Sequence, residues 1–385
     1  MTLYLHDGSY QGQTSWSVEA LRAGVADAVV ASPFFTPWVP RKAQPNPGTV
    51  AQKVRDAGGE FIIDATTHGL RLPGVDNLAS YNTWRLWAGA RGDLSTDDLI
   101  DQHVERVFER QDAVSAPRLT PTVALDSPIG ADADTALALA QAGRRADEGA
   151  WQSLAGRRGF WLSEGLDDYV GSLAQLRATV WFVTHVREEG VYPPTMVEAA
   201  QLAAVCRTVE SLSLRSRVVL CQADLFGLPA VAAGADTVGT GWHTKQRVCS
   251  PSAYQQNDPD TVRRQALWLM YQGLATRIHK TDSDVLVSRD RARAEQLYIG
   301  PIVSINRDAR IHHLQTLRGL TATVDAYAER ADRVAALRSI YETAVGELDD
   351  LARRYSRTYA RQRSDFVDGP LAALQMYAEA EGIWD

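Results

Sequence analysis

The run GADTVGTGWHTKQRVC, from Gly234 to Cys249, sets two glycines beside a group of long donors and aromatics. Gly239 and Gly241 bare the main chain, which lets a ligand approach it closely. Trp242 and His243 add a ring and an imidazole, and Lys245 and Arg247 add cations suited to an anionic group. A second stretch, DATTHGL, opens with Asp64 directly after Phe-Ile-Ile and carries His68 behind it. A carboxylate so placed can move a proton or hold the polar edge of a planar base, and it can equally start a turn. Asp126 repeats the pattern after TVAL and before Ser-Pro, where helix capping is the structural alternative. Asp236 lies just before the glycine pair, although a Gly-Ala-Asp opening is also ordinary turn chemistry. His6, Asp7, Glu164, His185 and Asp224 are further polar residues near apolar segments.

Eight short apolar segments must position these groups. They are Leu3 to Leu5, Ala28 to Ala31, Phe61 to Ile63, Pro121 to Leu125, Phe160 to Leu162, Val180 to Val183, Val218 to Cys221 and Thr237 to Val238. Between them, Val50 to Ala57, Thr96 to Arg110, Ala133 to Ala155, Leu166 to Leu176 and Thr195 to Leu212 have helical spacing. Strands alternating with helices predict an α/β protein with parallel pairing. The absence of a G-x-G-x-x-G after a strand disfavours a dinucleotide fold, and polar residues follow most strands. The expectation is a (β/α)8 TIM-like barrel over residues 1–300, with ligands at the carboxyl ends of its strands. Residues 301–385 are expected to form a C-terminal helical extension, with long amphipathic helices from Leu314 to Arg361. Arg353, Arg354, Arg357, Arg361 and Arg363 form either a solvated helix face or a phosphate-contacting surface. The loop SPFFTPW, Ser32 to Trp38, offers rings that wall a pocket or pack the rim, and Trp84 and Trp87 have the spacing of a packed helix.

With 45% hydrophobic residues the chain can bury a large core. A net charge of -7 gives no general attraction for nucleic acid, though a local basic groove is compatible with it. Cys206, Cys221 and Cys249 are odd in number and lack a C-x-x-C spacing, which points to a reducing compartment and away from a cysteine zinc site. The opening MTLYLHDGSYQG has no basic segment leading into an apolar core, and no run of about 18 apolar residues occurs, so neither signal peptide nor membrane span is expected. A cytoplasmic location follows as the expectation, with no cofactor and no metal.

The order of motifs resembles the tRNA-guanine transglycosylase superfamily, including relatives that insert 7-deazaguanines into DNA. That family's Asp-Ser-Gly-Gly-Phe-Gln loop is similar in position to DATTHGL. Its Asp-Glu-Cys-Pro strand end compares with ALDSP and the helix ALALAQAGRRADEG. Its glycine-aspartate strand leading into Thr-Arg-Asn-Ala-Arg compares with GADTVGTGWHTKQR. The resemblance covers roughly residues 28–250 and rests on order and spacing. It implies base exchange at the N-glycosidic bond of a guanine, with tRNA or DNA and a free purine-like base as partners. Asp64 and Asp126 would recognise or deprotonate the base, and Lys245 with Arg247 would hold phosphate. The chain departs from the family in two places. The nucleophilic aspartate would fall at Gly239, leaving Asp236 as a substitute, and only Cys249 stands where the family has three zinc-binding cysteines. Two other readings are a barrel glycoside or nucleoside hydrolase using Asp64, Asp126 or Glu164, and a non-catalytic barrel that binds nucleic acid or protein through its C-terminal helices.

Overall fold

A computed structural model describes residues 1–385 apart from 10–11, 42–43, 189–197, 257–266, 304 and 384–385. The first half of the chain forms β1 (Thr2–Asp7), α1 (Gln13–Arg22), β2 (Ala28–Ala31), α2 (Pro47–Asp56), β3 (Glu60–Ile63), α3 (Thr67–Leu70), α4 (Asp97–Asp112), β4 (Ala124–Leu125) and α5 (Ala131–Ala146). It continues through β5 (Gln152–Gly156), α6 (Arg158–Trp161), α7 (Leu166–Ala174), β6 (Val180–His185), α8 (Ala199–Ser213), β7 (Arg217–Cys221), α9 (Leu228–Ala233), β8 (Thr237–Gly241) and α10 (Thr244–Arg247). All the ladders among these eight strands are parallel, in the order β3-β2-β1-β8-β7-β6-β5-β4. Pairing of the first strand with the last gives the chain its TIM-like (β/α)8 character.

The sheet is open at one seam: among the described residues no ladder joins β3 to β4. Gln111 of α4 bridges the gap. Its buried amide donates to the Ile63 and Leu119 carbonyls at 3.0 Å each, and its oxygen accepts the Leu119 N–H at 3.0 Å. One glutamine thereby satisfies three backbone groups that a ladder would otherwise pair. Pro121, which has no N–H to offer a ladder, stands on this side, and β4 is correspondingly short.

Strand alternation divides the core into two layers. Tyr4, Val30, Ile62, Phe182, Val219 and Cys221 fill the barrel interior. The intervening residues, such as Leu5, Val29, Ile63 and Leu220, pack outward against the helices.

Three sequence expectations need correction. The fifth strand is β5, Gln152–Gly156, which runs through the end of the expected helix Ala133 to Ala155. The expected strand Phe160 to Leu162 is mostly the helical turn α6. Gly156 explains the exchange, since a Cβ there would lie 2.4 Å from Phe160 and 2.6 Å from Trp161, so its bareness lets the aromatic turn fold back onto the strand. The Trp84–Trp87 helix is absent: Trp84 ends a 3-10 turn and Trp87 stacks on His103 from a loop, with ring centroids 3.8 Å apart. Thr195 to Val197, the start of the expected fifth helix, lie outside the described residues.

After the barrel come a hairpin, β9 (Trp268–Tyr271) and β10 (Thr276–His279), and the helices α11 (Lys280–Arg289), α12 (Arg291–Tyr298), α13 (Asn306–Asp325), α14 (Arg330–Arg354), α15 (Thr358–Arg363) and α16 (Gly369–Ala380). The stretch Leu314 to Arg361 is thus three helices. α14 packs on α9, and α16 packs on α8. The arginine cluster alternates with acids: Arg353 and Arg354 reach Asp350, Arg361 lies 3.5 Å from Asp365, and Arg363 bonds Asp349 and Asp368. That is the pattern of a solvated helix face.

Candidate functional site

The carboxyl ends of β1, β2, β3, β7 and β8 surround one small depression that opens to solvent. Its lining comprises His6, Asp7, Val30, Ser32, Phe35, Asp64, Thr66, Gln222, Gln246 and Tyr254. The period of two explains much of this set. Tyr4, Val30 and Ile62 face the barrel interior, so His6, Ser32 and Asp64, each two residues on, fall on the same side one layer higher.

Asp64 carries one of the two carboxyl groups in this lining. Its Oδ1 accepts the Thr66 N–H at 2.7 Å, and Thr66 in turn shares a 2.9 Å hydroxyl contact with Ser32. Thr66 pays for this turn with a left-handed φ of 51°, a conformation that β-branched residues rarely adopt. The charge of Asp64 acts on His68, Tyr81, Cys221, Cys249 and Tyr254, groups drawn from both sides of the mouth. Burial holds the Tyr254 hydroxyl well above the ordinary phenol range, with Cys249 and Asp64 adding to it. Burial likewise pushes the His68 imidazole below its usual range, against the pull of Asp64. The Nε2 of His68 is buried with no hydrogen-bond partner among the described residues.

On the opposite wall, burial pushes His6 down to about 3, and neighbouring His68 adds to the effect. His6 Nε2 accepts the Gln222 N–H at 3.3 Å, which leaves the ring proton on Nδ1. Asp7 is buried, which raises its carboxyl against hydrogen bonds from Ser17, at 2.6 Å, and the Ser9 N–H, at 2.8 Å. Gln246 is tied through its amide to Gln13 at 3.1 Å and caps the His243 N–H at 3.0 Å. Among its described lining residues the mouth holds a neutral imidazole, amides and hydroxyls around the carboxyl groups of Asp64 and Asp7, with no Lys or Arg. Among the described residues no group of three or more His, Cys, Asp or Glu is arranged to hold a metal ion.

Of the residues singled out from sequence, Asp64, His6 and Asp7 line the mouth, His68 is buried within reach of the charge of Asp64, and those that follow lie elsewhere. Asp126 is exposed at the end of β4 and paired with Arg157 at 2.7 Å. Asp236 precedes β8, at the opposite end of the barrel, where its Oδ2 accepts the Val218 N–H at 2.8 Å. It cannot serve as a nucleophile in a mouth that lies beyond the whole length of β8. Gly239 and Gly241 do bare the main chain, but to the protein itself. A Cβ on Gly239 would lie 2.7 Å from His6 Nε2, and one on Gly241 would lie 2.3 Å from Gln246 Cβ. Trp242 is buried, donating to Ser17 at 2.9 Å and meeting Trp16 edge-on. His243 is the N-cap of α10 and contacts Arg310 at 3.0 Å. Lys245 donates to the Gln255 carbonyl at 3.3 Å, and Arg247 is buried with its Nε on the Gly241 carbonyl at 2.6 Å. Glu164 is exposed beyond α6. His185 contacts Gln201 at 3.1 Å and is pushed by burial down to about 4.

Gln222 and Tyr254 were not picked out from sequence, whereas Gln246 lies in the GADTVGTGWHTKQRVC run that was. Gln222 directly follows the strand VVLC, so a rule that counted amides at strand ends would have found it; Tyr254 arrives on a distant loop and has no such signal. Of the rings in the SPFFTPW loop, Phe35 lines the mouth, stacked on Tyr254 with centroids 6.0 Å apart, and Ser32 of the same loop lines it too. Phe34 packs on Tyr81 and Tyr254, and Trp38 packs on Trp84.

The fold and mouth together define an α/β barrel with a polar, ring-walled depression at its carboxyl face. No family model matches the chain, and no curated protein does. Solved structures with some likeness include a psychrophilic glycoside hydrolase family 10 endo-beta-1,4-xylanase, at 10% identity and a TM-score of 0.36, over 63% of this chain and 86% of that one. Tryptophan synthase from M. tuberculosis matches at 12% identity and a TM-score of 0.32, over 82% of this chain and 92% of the other. A probable tagatose 6 phosphate kinase from Sinorhizobium meliloti 1021 matches at 11% identity and a TM-score of 0.30, over 99% and 98% of the two chains. Scores this low carry no argument about chemistry. Among the described residues no helix is long and apolar enough to cross a membrane.

Proposed function

We propose that this chain is a barrel enzyme of transglycosylase type that acts on the N-glycosidic bond of a guanine-like base. One observation carries the reading: the Asp64 side chain lines an amide- and ring-lined mouth, and the buried His68 Nε2, within reach of its charge, has no hydrogen-bond partner among the described residues. A planar heterocycle presents donors and acceptors along its edge and apolar faces above and below. Gln222, Gln246, Ser32 and Thr66 supply the edge partners, while Phe35 and Tyr254 supply ring surface. Asp64 takes an N–H of the base or faces the sugar carbon as charge develops there. Asp126 and Asp236 have no part in this version, so Asp64 is the candidate of the three that remains.

A hydrolytic reading, with water in place of an incoming base and a nucleoside as substrate, is favoured by the lack of Lys or Arg among the described lining residues. The deciding experiment incubates the protein with guanine-labelled tRNA, labelled duplex DNA and labelled guanosine, each with and without a free 7-deazaguanine base. Release from a polymer that requires the free base and is lost in Asp64→Asn supports exchange. Release from guanosine without the free base supports hydrolysis, and no release from any substrate overturns both.

A further inference from the structure

The helix α13 touches the barrel through a stripe of basic residues, and two of them bear on the loops that carry mouth residues. Its His313 donates from Nε2 to Asp224 Oδ1 at 2.6 Å. Asp224 lies two residues beyond Gln222, in the loop after β7, and Thr240 of β8 donates to the same carboxylate oxygen at 3.0 Å. Arg277 of β10 lies 3.9 Å from the other oxygen. Arg247, whose charge also acts on Asp224 and His313, is the neighbour of Gln246 in α10. Further along the same helix, Arg310 donates to the Trp242 carbonyl and contacts His243 Nδ1 at 3.0 Å, fixing the entry to α10.

This clasp holds a loop that the backbone alone disfavours. Gln222 and Asp224 both have left-handed φ angles, 47° and 50°, and neither is glycine. Burial opposes the charge on Asp224, yet His313, Arg247 and Arg277 outweigh it and keep the carboxyl well below the usual carboxylate range. Held by Thr240 of β8, His313 of α13 and, at 3.9 Å, Arg277 of β10, the buried acid is a fixed point two residues from Gln222, and the charge of Arg247, next to Gln246, bears on it.

We propose that His313 is a positioning residue: through Asp224 it sets Gln222 and Gln246 in the mouth, making the helix α13 part of the site. The functional half of this proposal rests on reading the mouth as the site; the structural half does not. The first readout therefore needs no substrate. In the full chain, the ¹⁵N resonance of His6 Nε2, which accepts the Gln222 N–H, and the exchange rate of that amide are measured in His313→Ala and His313→Gln. Alanine shifts the His6 resonance and speeds Gln222 exchange about tenfold, the equivalent of one hydrogen bond to a charged group. Glutamine, which can still donate to Asp224, restores both.

An unchanged His6 resonance and Gln222 amide in a folded His313→Ala protein would overturn the proposal. Should alanine prevent folding, Thr240→Val removes another bond to the same oxygen and is held to the same two outcomes. The second readout is the base-exchange or hydrolysis assay. His313→Ala raises KM about tenfold with a smaller change in kcat, and glutamine rescues it, because the amides that hold the base are displaced while Asp64 stays. If wild-type protein is inactive, the proposed function fails and the His6 readout still decides the clasp.

Discussion

Both halves of the barrel rim carry polar residues at strand ends, but in opposite physical settings. On β1, β2, β3, β7 and β8 they are drawn inward: His6, Asp7 and His68 are buried, and Asp64 is partly so. On the β4 and β5 side the corresponding groups lie in solvent. Asp126 pairs with Arg157, itself within 3.7 Å of Glu188, and Glu164 is exposed. The difference teaches that a charged residue after a strand is a weak indicator by itself. Chemistry needs a desolvated group with directed partners, since water screens an exposed carboxylate and leaves its reactivity ordinary.

The largest expected effect separates the two halves directly. Asp64→Asn lowers activity in the base-release assay by about a hundredfold or more, as loss of a positioned acid–base or charge-stabilising group does. Asp126→Asn leaves it within about twofold. Equal losses in the two variants would erase the distinction.

Acid tests the same contrast through stability. Burial depresses His103, His185, His243 and His313 to about 4 each and His6 to about 3, all below the ordinary imidazole. Between about pH 6.5 and 4 the unfolded chain therefore binds more protons than the folded one, so stability rises with pH across that window and is lost as pH falls through it. Denaturant midpoints should fall steeply below pH 6.5; a flat profile to pH 4.5 would contradict the burial of these rings.

Gly239→Ala puts a methyl against His6 Nε2 and against the Gln222 backbone N, at 2.8 Å. It should destabilise the chain by about 1–3 kcal/mol, as overpacking does. Gly171→Ala in α7, where a Cβ meets nothing within 4 Å, should be neutral or stabilise by up to about 1 kcal/mol. At the seam between the halves, Gln111→Leu strands two carbonyls and one N–H and should cost about 2 kcal/mol in urea unfolding. The smallest effect is Arg157→Ala, which breaks the exposed pair with Asp126 and should change stability by less than about 1 kcal/mol.

Much of the scaffold was legible in the sequence because short apolar runs mark parallel strands well. The segments at Ala28, Phe61, Val180 and Val218 all became strands. The fifth strand escaped because Gln-Ser-Leu-Ala-Gly has little β-branched character, while the nearby Phe-Trp-Leu does look strand-like. Within the site, Asp64 was legible as a polar residue at a strand end. The roles of Gly239 and Gly241 were not, because sequence does not say whether a bared backbone receives a ligand or another side chain. Asp236 was misplaced for a related reason: strand direction was correct, but Gly-Ala-Asp opens β8 where a nucleophile would need to close it. Tyr254 and Gln246 come together with Asp64 only through tertiary folding.

The central claim is that the site lies around Asp64, on the half of the rim built by β1 to β3, β7 and β8. Calorimetric titration of free guanine and a 7-deazaguanine base into wild type, Asp64→Asn and Asp126→Asn tests it most directly. The account predicts saturable binding to wild type and Asp126→Asn and its loss in Asp64→Asn. Binding that survives in Asp64→Asn and disappears in Asp126→Asn would contradict it.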